Sequence, residues 1–148
     1  LFIPMKMIFP EANIPMTQLS LIKGLDPAAH LALGRALRPL IRKKNILVIG
    51  SGFSFHNMGE FKFDASSQTD LKNDQFQEWL IDLCTGDHAS SERESRLELW
   101  ENAPSARYCH PREEHLLPLH VCLGLSGGPA DLVFDDYILG KRSVAFQW

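Results

Sequence analysis

The sequence predicts an α/β fold, a mixed central sheet flanked by helices with a β-hairpin at the C terminus, and three observations predict it. Asn45 to Ile49 (NILVI) is a wholly apolar run rich in β-branched residues and is followed at once by Gly50-Ser51-Gly52, the pattern of a strand buried on both faces of a sheet. Several other stretches repeat apolar residues at helical spacing. Two strand-like runs, Leu132 to Leu139 and Ser143 to Trp148, flank Gly140-Lys141 as the arms of a hairpin.

In chain order, Leu1 to Ile8 is almost continuously apolar and reads as the end of a buried helix broken by Pro10. The chain has no initiator methionine and is expected to begin in mid-domain. Met16 to Leu21 (MTQLSL) alternates apolar with polar residues, the period of a strand. Asp26-Pro27 supplies an N-cap and a first-turn proline. Ala29, Leu33, Ala36, Leu37 and Leu40 continue that helix to about Lys43, with a bend near Pro39. Residues 61–70 are polar and loop-like. Phe76, Trp79, Leu80 and Leu83 mark one amphipathic helix, and Ser91 to Glu101, with Leu97 and Trp100, a second. A further apolar helix lies between Pro111 and Leu125. Pro118 must fall in its first turn, so the helix should start close to Glu114 and His115. There is no internal repeat and no low-complexity tract.

Composition narrows the function. The 148 residues, 45% hydrophobic, suit one globular domain over 1–148, and a net charge of -3 gives no positive field to hold a phosphate backbone. Nucleic acid is therefore not the expected partner. No apolar stretch reaches the roughly 20 residues needed to span a bilayer, so a soluble, cytoplasmic protein with no membrane partner is expected. Cys84, Cys109 and Cys122 are odd in number and have no CxxC spacing, which points to reduced thiols. Nucleotide-binding GxGxxG and P-loop motifs are absent from the sequence.

Two histidines stand out. His56 follows the buried run and its glycines, where loops of α/β sheets present side chains to a crevice. Gly50 and Gly52 would allow a tight turn, while Ser51, Ser54 and Asn57 could orient the imidazole. A loop histidine satisfied by nearby backbone is the competing reading. His115 lies in REEHLLPL at a helix start, where the dipole disfavours imidazolium and the acidic neighbours Glu113 and Glu114 favour it, leaving the sign open. A first-turn polar residue with no chemistry is the alternative there. Cys109, His110 and His115 form a weak zinc candidate, since their spacing fits no common zinc signature. His30 and His88 are expected to be solvated, His120 to pack, and Trp79, Trp100 and Trp148 to belong to the core or hairpin.

The stretches GSGFSFHN (50–57) and SARYCHPREEHLLPLHVCLG (105–124), with FPEANIPMTQLSL (9–21), resemble the class III extradiol ring-cleavage dioxygenases, particularly their DOPA-dioxygenase-like branch. The resemblance runs in order over essentially the whole chain. It implies a mononuclear site for Fe(2+), with Zn(2+) often present in recovered protein, that opens catechol-type rings such as DOPA with dioxygen. Two family histidines belong to Gly-His-Gly and Ser-Ala-His-Trp motifs of an N-terminal half, and neither motif occurs here. His56 matches the third family histidine, with Phe53 where asparagine is frequent, and His115 matches the fourth. The resemblance makes His56 and His115 the catalytic and metal-binding residues. His56 would be the acid/base with metal contact, and His115 a ligand or a group orienting substrate; Glu114 is a weaker carboxylate candidate. It also makes the chain half of a larger α/β domain, which would associate with the missing N-terminal half or form a homo-oligomer. The contrasting expectation is a shortened, non-catalytic homologue that binds or scaffolds. Either way, His56 and His115, 59 positions apart in the sequence, should meet in one crevice.

Overall fold

The computed structural model describes residues 2–62 and 69–148. Six helices and one hairpin follow in order: α1 (Phe2–Ile8), α2 (Pro27–Lys43), α3 (Leu71–Thr85), α4 (Ser90–Glu98), α5 (Ala106–Cys109), α6 (Leu117–Ser126), β1 (Asp131–Ile138) and β2 (Lys141–Gln147). Short 3-10 turns occupy Met58–Glu60 and Trp100–Asn102. None of the described helices is long and apolar enough to cross a membrane.

The helices start where local chemistry satisfies their free N–H groups. Asp26 accepts from Ala28 N–H at the head of α2, with Pro27 in the first turn, and Asp70 accepts from Asn73 N–H at the head of α3. The predicted apolar stripe of α3 is buried at Phe76, Leu80 and Leu83, where it meets Leu97 and Trp100 from the α4 region and Leu123 from α6. Each such fully buried side chain contributes about 1.5–3 kcal/mol. Helix α6 begins at Leu117, later than the start expected near Glu114, because Leu116 and Leu117 N–H first close turns onto Glu113 O. Pro118 does fall in its first turn.

Helices α2 and α6 cross on glycine. A Cβ at Gly34 would stand 2.2 Å from Val121 O, and one at Gly124 would stand 2.3 Å from Leu31 O, so backbone meets backbone. Arg38 Nε then donates to Gly124 O (2.8 Å) and Leu125 O (3.1 Å), satisfying carbonyls at the end of α6 before Gly127 turns the chain at φ 76°.

The C-terminal hairpin forms as expected, one residue out of place. Leu139 (φ 51°) and Gly140 (φ 75°) are its two central residues, both left-handed as a type I′ turn requires. The antiparallel register runs from Asp131 opposite Gln147 to Ile138 opposite Lys141, with an irregularity between Leu132 and Phe134. β2 buries Lys141, Ser143 and Val144 towards α3, while β1 is exposed along its whole length.

Two strand expectations differ from the structure. Residues 16–21 and 45–49 are not in a β-ladder, and the hairpin is the only sheet among the described residues. An apolar run becomes a buried strand only when neighbouring strands and covering layers reach it; here Leu47 remains 74% exposed. Helix α1 likewise leaves Met7 and Ile8 exposed rather than buried. Part of the polar loop expected over 61–70 lies outside the described residues.

Candidate functional site

Residues 50–57 run along the turn that leads into α6. Phe53 N–H donates to His115 O at 3.0 Å. A Cβ at Gly52 would lie 2.3 Å from His115 O and one at Gly50 2.6 Å from Cys122 Sγ, so both glycines serve close approach. Neither has a positive φ, which corrects the expected tight turn. The segment is laced to residues 108–110 by three bonds: His110 Nε2–H to Ser54 O (2.9 Å), His56 N–H to Cys109 O (2.9 Å) and Asn57 Nδ2 to Tyr108 O (2.8 Å). Ser54 Oγ accepts from Val144 N–H. Ser54 and Asn57 therefore fasten backbone; neither holds the His56 ring, as the sequence had suggested.

This lacing brings His56 and His115 together. Their rings stack with centroids 3.5 Å apart and planes inclined by 22°. Burial lowers the His56 pKa, the adjacent His115 lowers it further, and Glu114 opposes both. His56 is thus held neutral and able to accept a proton. His115 also lines a groove of about 1230 Å³ whose other walls include Ile46, Ile49, Val133, Phe134 and Trp148. Glu114 Oε2 is buried without a hydrogen bond, although Arg112 Nε is 3.0 Å away in an ion pair.

The other histidines are structural. His30, expected in solvent, is buried: its Nδ1–H donates to Asp26 O (2.7 Å) and its Nε2 accepts from Ile22 N–H (3.1 Å). His120 packs between Leu97 O and Leu116 O, and burial pushes its pKa down to about 4. His88 joins a partly exposed polar group with Asp82, Glu92 and Arg96. His110 is fully buried against Phe76 and Trp100, which lowers its pKa to about 4, and its Nδ1 has no partner. Cys109 faces Lys72 O, and burial pushes its thiol up to about 12. Neither Cys109 nor His110 joins His115 in a zinc cluster. All three cysteines are free, as expected.

A buried polar group lies against Phe55, the residue before His56. Lys141 ion-pairs with Asp70, stands 3.3 Å from Tyr108 Oη and 3.8 Å from Glu60 Oε2, and is 3% exposed. In the sequence Lys141 stands only in the hairpin turn and Asp70 only at the end of the polar stretch 61–70. No local signal links them across 71 positions.

Imidazole suits ferrous iron and zinc alike, so His56 and His115 fit such a metal in kind. They do not fit in number: the described residues contain no group of three or more His, Cys, Asp or Glu arranged to hold a metal ion.

The chain is similar over most of its length to several known proteins. A dioxygenase of Hapsidospora irregularis, tasH, is 38% identical over 157 residues, spanning 99% of this chain and 48% of the relative. The 4,5-DOPA dioxygenase extradiol of Portulaca grandiflora is 36% identical over 157 residues, spanning 98% and 54% respectively. The chain thus spans about half the length of these relatives. The crystal structure of an uncharacterized Escherichia coli K12 protein, JW3007, superposes with a TM-score of 0.77 at 27% identity, over 95% of this chain and 58% of that one. The family model for the catalytic LigB subunit of aromatic ring-opening dioxygenase matches residues 1–146, and the chain belongs to that family.

Proposed function

We propose that this chain carries part of the active site of an extradiol dioxygenase that opens catechol-type rings, DOPA among them, with dioxygen. The observation that carries the reading is the His56–His115 stack at 3.5 Å, formed by two segments far apart in sequence. Two relatives named as dioxygenases, one of them for DOPA, support the substrate class. His56, neutral through burial, is suited to take a proton from a catechol hydroxyl and return it later. His115, at the groove wall, is the better placed to hold Fe(2+) or Zn(2+), with Glu114 as a carboxylate alternative. When bound, ferrous iron would supply the path for electron density from ring to oxygen.

The remaining ligands must come from elsewhere, and the apolar groove is the surface on which a complementary half would pack. The test is co-production of the chain with the N-terminal portion of the Portulaca grandiflora enzyme, anaerobic loading with ferrous iron, and an assay for yellow ring-fission product from DOPA. Metal-dependent product is expected. A stable, iron-loaded complex without turnover would favour the second reading, a non-catalytic binding module, for which the shortage of metal donors among the described residues speaks.

A further inference from the structure

We propose that Tyr108, anchored by Asp70 and Lys141, is the positioning residue that holds His56 against His115; the inference rests on the reading of that pair as the functional centre. Tyr108 touches both sequence neighbours of His56. Its ring stands edge-on to Phe55 at 6.0 Å, and its carbonyl accepts from Asn57 Nδ2 at 2.8 Å. The next residue, Cys109, accepts the His56 N–H itself. The place of His56 is therefore set by residues 108 and 109.

What fixes Tyr108 is the buried network. Its hydroxyl donates to Asp70 Oδ2 at 2.7 Å and lies 3.1 Å from Glu60 Oε2. Lys141 ion-pairs with the same Asp70 oxygen and sits 5.2 Å from the Phe55 ring centroid and 5.7 Å from that of Tyr108. One ammonium thus ties β2, the cap of α3 and both segments of the His56 lacing. Hydrogen bonds from Lys141 and Tyr108 outweigh burial and keep Asp70 below the ordinary carboxylate range, so the pair stays charged. Apolar residues of the same volume would stabilise a core about as well as a buried ion pair, and fixing one arrangement is the best-attested use of such a pair. Here the arrangement it fixes is the 55–57 segment.

The experiment uses the labelled, metal-free 148-residue chain and reads the nuclear Overhauser cross-peaks between the His56 and His115 ring protons. Tyr108→Phe keeps the ring and the backbone carbonyl and removes only the hydroxyl. Asp70→Asn keeps an N-cap side chain and removes the charge. Both are expected to abolish the ring-to-ring cross-peaks. Arg142→Met, which breaks ion pairs from the same hairpin to Asp135 of β1 and Glu78 of α3, is expected to leave them. In the reconstituted enzyme Tyr108→Phe should lower kcat by about 10–100-fold at unchanged KM, the usual effect of losing a group that orients a metal-site histidine. Cross-peaks that persist in Tyr108→Phe while its melting temperature falls would overturn the proposal and leave Tyr108 a purely structural residue. Should Tyr108→Phe not fold, Asn57→Ala reads the same link, and persistent cross-peaks there overturn it equally. Cross-peaks missing from the unsubstituted chain would sink the histidine pair and the dioxygenase reading with it, whereas cross-peaks insensitive to Tyr108 sink only this inference.

Discussion

One side of this molecule is finished and the other is open. Where α2 crosses α6 and α3 meets α4, glycines let backbones touch, and Leu80, Leu97 and Trp100 are wholly buried. Along the groove, Ile46, Leu47, Val133 and Phe134 carry the same kind of side chain yet stay 37–74% exposed. The difference teaches that an apolar pattern states a demand for burial without saying which surface meets it. The two histidines sit at the seam: His56 is fastened from the closed side by its N–H bond to Cys109 O, and His115 lines the open groove.

The largest expected effect is at that seam. In a reconstituted enzyme, His56→Ala should lower ring cleavage by about 10²–10⁴-fold, the usual contribution of a positioned proton-transfer group. Steady-state rates and circular dichroism together check it, and unchanged turnover in a folded variant excludes the acid/base role. Next in size is a direct contrast of the two sides. Leu80→Ala removes a fully buried side chain and should cost about 2–5 kcal/mol, whereas Leu47→Ala in the isolated chain should change stability by no more than about 0.5 kcal/mol. Urea unfolding of both variants measures the difference. Similar losses at both sites would mean that the open side is covered in solution.

The closed side should also fail in acid. His110 and His120 have folded pKa values of about 4, below the ordinary histidine value near 6.5, so the unfolded chain binds more protons between these limits. Stability is full above pH about 6.5 and falls as the pH drops towards 4, by up to about 1.4 kcal/mol per pH unit for each histidine. Unfolding curves at pH 7, 6, 5 and 4 test this. The slope should shrink in His120→Gln, and a flat profile would show that neither ring is buried neutral.

Legibility followed the same division. The α3 stripe, the Asp26-Pro27 start of α2 and the hairpin depend on neighbours a few residues away, and each could be read locally. The run at 45–49 was read as a buried strand because its composition asks for cover, yet whether strands flank it is decided far away in the chain. The meeting of His56 and His115 was not in their spacing either; only the resemblance of two whole stretches suggested it. Lys141, Asp70 and Tyr108 left no signal, because a turn lysine, a cap aspartate and a helix tyrosine become one network only when three elements close on each other.

The smallest expected effect on folding tests the open side most directly. Leu47, Val133 and Phe134 lie along one groove, and an exposed apolar surface of this kind promotes association. β1 adds exposed Leu132, Val133, Phe134, Tyr137 and Ile138, and an exposed strand of that kind invites pairing with another chain. Leu47→Asp places a charge in the groove at a site where the native side chain already meets water. Folding stability should therefore move by no more than about 0.5 kcal/mol. Association should respond much more, since a carboxylate cannot be buried between two apolar faces without a partner. Light scattering over a range of concentrations is the measurement: the unsubstituted chain should self-associate, and Leu47→Asp should remain monomeric at the same concentration. The same substitution should weaken capture of the complementary half by the chain, because both would use this face. A chain that is monomeric without the substitution, and that binds the complementary half equally well with it, would show that the groove around Leu47 is ordinary surface and that the apparent asymmetry of the molecule has no consequence for assembly.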